Sequence, residues 1–80
     1  MEASSTYNQI LKIATLAENA YIKLNKDCDE TNVSNFVENF LKQLRSNKQI
    51  NAYETIIVRE YKNVIKREVI HRINRTKRAK

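Results

Sequence analysis

The 80 residues of this chain include Gly 0 and Pro 0. Backbone turns with positive φ usually draw on glycine, and tight loops draw on proline. A sheet protein of this length needs several such reversals, whereas helices can end on asparagine, which is plentiful here. The missing residues therefore make the chain all-α.

Size sets the next limit. A chain near this length buries only about 60–65% of the surface that its unfolded form exposes, so its core is marginal. Small scaffolds usually add a disulfide, a metal or a second copy of themselves. With Cys 1 and His 1, an internal disulfide is impossible and zinc-ligand spacing is absent. No structural metal or cofactor is expected, and a homodimer or a larger partner is the remaining staple, self-association being favoured. The single cysteine fits a reducing cytoplasm. No run of about 18 apolar residues exists, and MEASSTYNQ lacks the basic start and apolar core of a signal peptide.

Periodicity predicts three helices, at about 6–24, 32–46 and 52–75, in one domain over 1–75 with a flexible basic tail at 76–80. Thr6 and Gln9 have the form of a capping box. Tyr7, Ile10, Ala14, Ala17, Tyr21 and Leu24 then line one face at spacings of three and four. After the loop NKDCDE, Thr31 or Asn32 is placed to cap the second helix, with Asp29 and Glu30 near its positive end. Val33, Phe36, Val37, Phe40, Leu41 and Leu44 form the cleanest apolar stripe. The connector SNKQIN offers Asn47 or Asn51 for a left-handed turn. In the third helix Tyr53, Ile57, Tyr61, Ile65, Val69 and Ile73 recur every four residues, a repeat that drifts by about 40° per step.

Charge is the feature that points to function. Residues 1–58 hold six Lys or Arg and seven acids, whereas residues 59–80 hold nine cations and two acids. A helix dipole and solubility explain cations in a last turn, but not an excess extending over roughly six turns. Arg59, Lys62 and Lys66 fall on one face, opposite the apolar stripe. Arg67, Arg72, Arg75, Lys77, Arg78 and Lys80 continue the run. Like charges at these spacings repel, so the pattern destabilises the fold unless a polyanion meets it. Double-stranded nucleic acid, held through its phosphates, is the partner this predicts, and Lys42, Arg45 and Lys48 extend the footprint if the second helix ends beside the third.

Other chemistries are poorly served. The tyrosines Tyr7, Tyr21, Tyr53 and Tyr61 and the rings of Phe36 and Phe40 lie on apolar stripes, so they read as core rather than as stacking platforms for single strands. The third helix could follow the second as a helix-turn-helix, but its start, AYETIIV, offers few groups for base edges. Ile70 and Ile73 among arginines give the composition of an interfacial membrane helix, yet the segment lacks Trp and Phe. His71 has no metal-ligand or catalytic companion at useful spacing. Cys28 sits in the acidic DCDE loop, which disfavours a thiolate. Asp27, Asp29 and Glu30 lack the glycine and closing glutamate of a calcium loop. The expectation is a binding protein and not an enzyme.

Two resemblances accompany this reading. In helix lengths and charge the chain resembles small viral, phage or plasmid helical domains that dimerise and lay basic helices across a duplex, such as the RNA-binding domain of influenza non-structural protein. AYIKLNK (Ala20 to Lys26), followed by an apolar helix and a long basic one, is similar to class IIa bacteriocin immunity proteins. That second resemblance implies a cytosolic helical bundle acting on a protein target, and so an interaction module or inhibitor, with an acidic protein as partner.

Overall fold

A computed structural model of the chain describes residues 2–24 and 29–79, with side chains over 6–24 and 29–76. The described residues form four helices, α1 (Glu2–Leu24), α2 (Glu30–Ser46), α3 (Ala52–Glu60) and α4 (Lys62–Ala79), and no strand. The all-α class holds, but the helix expected over 52–75 is divided at Tyr61. None of the four is long and apolar enough to cross a membrane, among the described residues.

The division follows from the drifting stripe. Five steps of about 40° would carry the apolar face more than halfway round a continuous helix. At Tyr61 the backbone relaxes to φ −112° and ψ 27°, while the hydrogen-bond ladder continues from Tyr61 N–H to Ile57 O (2.8 Å) and from Ile65 N–H to Tyr61 O (3.0 Å). This bend turns Tyr61 outward and restarts the stripe, so that Ile65, Val69 and Ile73 all reach the core. Ile57 and Val58 do the same for α3.

Local chemistry sets the ends. Asp29, rather than Thr31 or Asn32, caps α2, and its carboxylate accepts from the Asn32 N–H at 3.3 Å. α2 closes in a Schellman motif, with Gln49 N–H donating to Leu44 O (3.1 Å) and Lys48 N–H to Arg45 O (3.3 Å). The left-handed position in that motif belongs to Lys48, at φ 54°, and not to Asn47 or Asn51. Asn51 instead begins α3. Its side chain accepts from Glu54 N–H (2.8 Å), and Glu54 accepts from Asn51 N–H (3.1 Å), which is a complete capping box. Thr6 lies inside α1, which starts at Glu2, so the expected Thr6–Gln9 box is not the helix start. At the other end α4 runs to Ala79, beyond the end expected near Arg75.

α4 packs along α1 and α2, and α3 leans on α1. The core joins Ile10, Ile13, Ala14, Ala17 and Tyr21 of α1 to Val33, Val37, Leu41 and Leu44 of α2 and to the five buried residues of α3 and α4. Ala14 and Ala17, both fully buried, let a neighbouring helix approach closely. Tyr21 meets Phe36 edge-on at 5.2 Å between ring centres, and Phe36 stacks with Phe40 at 5.9 Å. The shortest dimension is 17 Å, room for two helix layers only, so each helix keeps an open side. That thinness corrects part of the expected core. Tyr7, Leu24, Tyr53 and Tyr61 are exposed, and Phe36 and Phe40 are only partly buried.

Candidate functional site

The basic residues that form one run in the sequence are sorted by the fold into three environments. The first is a groove between α2 and the α3–α4 bend. Lys42 and Arg45 from α2, Arg59 from α3 and Lys62 from α4 line it together with Glu38, over a floor of Leu41 and Val58. Its volume is about 250 Å³. Small-molecule pockets usually hold about 300–1,000 Å³ behind largely apolar walls. This groove is smaller, open and cationic, which suits an anionic group carried on a larger molecule.

Four cations can gather there because α2 and α4 pack side by side, with the C-terminal half of α2 beside the bend. Lys42 and Arg45 lie in the last turns of α2 and Arg59 in the last turn of α3. Both helix ends thus add partial negative charge that eases the crowding of cations. Glu38 eases it further. Its carboxylate takes a hydrogen bond from Lys66 at 2.9 Å and faces Lys62 at 4.0 Å. The bond from Lys66, then the charges of Lys66, Lys62 and Lys42, hold the Glu38 carboxyl below its ordinary value of 4.5.

The second environment is structural. Arg72, whose side chain is 17% exposed, does not face solvent as a ligand contact would. Its Nε donates to Glu68 at 2.9 Å, one guanidinium nitrogen lies 3.6 Å from Glu18, and the same nitrogen bonds the Thr15 hydroxyl. Arg72 therefore clamps α4 to α1. Lys66, at 18% exposed, similarly ties α4 to α2 through Glu38. Lys62 and Lys66 flank the core face of α4 and do not stand opposite it. The reading that put Arg59, Lys62 and Lys66 on one solvent face is corrected for Lys66, whereas Arg59 is exposed and Lys62 half-exposed beside the groove.

The third environment is the outer face of α4, where Arg67, His71 and Arg75 are exposed. Arg67 and Arg75 form no ion pair among the described residues. Lys48 is exposed in the turn after α2 and does not line the groove. The side chains of Lys77 and Arg78, and the residues Lys80, Asp27 and Cys28, lie outside the described residues.

Sequence reasoning did not single out Glu38. The partners are 24 and 28 residues away, so no short-range spacing reveals them. A further cleft of about 290 Å³ is lined by Tyr21, Phe36, Asn32, Asn35 and Asn39. It presents carboxamides and aromatic edges without a cation, so it offers nothing to hold a phosphate. No protein-family model, no curated protein and no solved structure matches this chain.

Proposed function

We propose that this protein binds double-stranded nucleic acid through its sugar–phosphate backbone, with little base readout and no catalysis. The observation that carries the proposal is the groove in which Lys42, Arg45, Arg59 and Lys62 converge from three helices around one carboxylate. Such convergence costs self-repulsion, which a bound polyanion removes. Phosphate contacts of this kind position a protein on a duplex without reading sequence. Lys77, Arg78 and Lys80 add attraction from the end of α4, and the complex forms in the cytoplasm. Lys66 and Arg72 serve this reading indirectly, by holding the helices that bear the contacts.

The fold changes which residues should be tested. Reversing Lys62 and Lys66 would break the Glu38 pairings as well as remove cations, so it would mix folding with binding. Arg45 and Arg59 are exposed, and neither is in an ion pair among the described residues. Arg45→Glu with Arg59→Glu should abolish duplex binding in an electrophoretic shift while leaving the helical circular dichroism unchanged. Retained binding by that variant would refute the groove as the site. A second reading, a non-enzymatic interaction module or inhibitor with a protein target, draws on the apolar side chains exposed on α3 and at the start of α4. It requires that no nucleic acid bind at low salt.

A further inference from the structure

Tyr53, Ile56, Tyr61 and Val64 stand on the side of α3–α4 turned away from α2, and each is between 38% and 50% exposed. Four large apolar side chains within twelve residues are more than the scattered exposure of a monomer surface needs. The same side carries Glu60 before the bend and Arg67 and Arg75 after it, all exposed and none in an ion pair among the described residues. Counted separately on each side of the bend, at about 100° per residue, Ile56 and Glu60 fall within about 40° of each other in α3, and Val64, Arg67 and Arg75 fall within about 80° in α4, away from Ile65, Val69 and Ile73. Tyr53 stands at the edge of this face nearer α1, where its hydroxyl meets that of Thr6 at 3.2 Å. The face is apolar and acidic at one end and basic at the other.

We infer that this face docks a second copy of the chain, antiparallel, with Val64 at the two-fold axis. The charge order selects the occupant and the direction. A parallel pair would set Arg67 against Arg67 and Arg75 against Arg75. In the antiparallel pair each copy's Glu60 meets Arg67 of the other, and each Tyr53 ring meets Arg75 of the other, a favourable cation–ring contact. A two-fold interface uses the same patch twice, so every such match is made twice. The face extends about 33 Å from Tyr53 to Arg75 but is one helix wide, which places it among small, weak interfaces. Arg59 and Lys62 are on the other flank, so the pair presents two basic grooves to solvent.

The inference does not depend on nucleic-acid binding, and its test contains no nucleic acid. Sedimentation velocity from about 5 to about 500 µM should show a concentration-dependent monomer–dimer equilibrium. Glu60→Arg places cations opposite Arg67 and should weaken dimerisation at least tenfold, as should Val64→Lys, with helical circular dichroism unchanged in both. The exchanged variant, Glu60→Arg with Arg67→Glu, restores the opposite charges and should recover the dimer. A chain that stays monomeric over the whole range overturns the inference. So does a dimer indifferent to Glu60→Arg and Val64→Lys, or an exchanged variant no better than the single one.

Discussion

Arg72 separates the account from a plain reading of the basic run, because a cation expected on the ligand surface is a clamp between helices. Arg72→Ala removes a charge-assisted bond to Glu68, one to Thr15 and an ion pair with Glu18, and leaves two partly shielded carboxylates without their cation. Fully exposed ion pairs contribute at most about 1 kcal/mol, but hydrogen bonds to charged groups in sheltered sites contribute about 1.5–3 kcal/mol. With the side chain 17% exposed, the second range applies. An 80-residue domain has a total stability of about 4–12 kcal/mol, so the loss is a sizeable share. At about 4–8 °C per kcal/mol, the melting midpoint should fall by roughly 10 °C or more. Thermal melts followed by circular dichroism at about 5 µM, where the weak pair is dissociated, provide the assay, with Arg67→Ala and Arg75→Ala as controls that change stability by no more than about 0.5 kcal/mol. Arg72→Lys should lie between, since an ammonium keeps the charge but not the planar fork. An Arg72→Ala protein that melts with the controls would refute the clamp.

Four further outcomes follow from the packing and the pairs. Ile65→Ala, at a position with no exposure, should cost about 2–5 kcal/mol and lower the melting midpoint by roughly 10 °C or more, whereas Ile56→Ala, compared at about 5 µM where the weak pair is dissociated, should melt as the parent does. Asn51→Ala removes the α3 capping box and should lower stability in urea by about 1 kcal/mol. Lys48→Gly relieves the left-handed backbone at φ 54° and should raise it by about 1 kcal/mol in the same assay. For Glu38 the folded carboxyl is held below 4.5, so the unfolded chain binds that proton more readily. Its contribution is complete above the unfolded value and is lost as pH falls through the lower folded one. Urea midpoints measured across the acid range should therefore fall less steeply for Glu38→Gln than for the parent.

How much of this was legible in the sequence depends on the range of the interaction. The helical class followed from missing glycine and proline, and the buried stripe of α2, Val33, Val37, Leu41 and Leu44, followed from spacing alone. The α3 capping residues were also local, yet Asn51 was read as a turn because Asn serves both purposes. The bend at Tyr61 has no proline or glycine to announce it. Its only trace is the four-residue repeat, which drifts too far for one straight helix. Exposure of Tyr7, Tyr53 and Tyr61 depends on how many layers cover a stripe, and that is a property of the assembled fold. The pairings of Glu38 and Glu18 were illegible because their cations lie 24 to 54 residues away. Glu68 and Arg72, at a spacing of four, were a local signal that the excess of positive charge obscured.

Salt dependence tests the central proposal most directly. Fluorescence anisotropy with labelled duplex DNA, duplex RNA and single-stranded DNA, repeated over several salt concentrations, gives the number of phosphates that the groove neutralises. Each contact on a duplex contributes a slope of about −0.9 in log affinity against log salt, so four groove cations predict roughly −4 for one chain, steeper where Lys77, Arg78 and Lys80 also reach phosphates. Arg59→Ala should flatten the slope by about 1, and Arg67→Ala should leave it unchanged. Duplex binding with that slope, lost in step with Arg59, is the predicted result. No duplex binding at low salt, or a slope indifferent to Arg59→Ala, would contradict it.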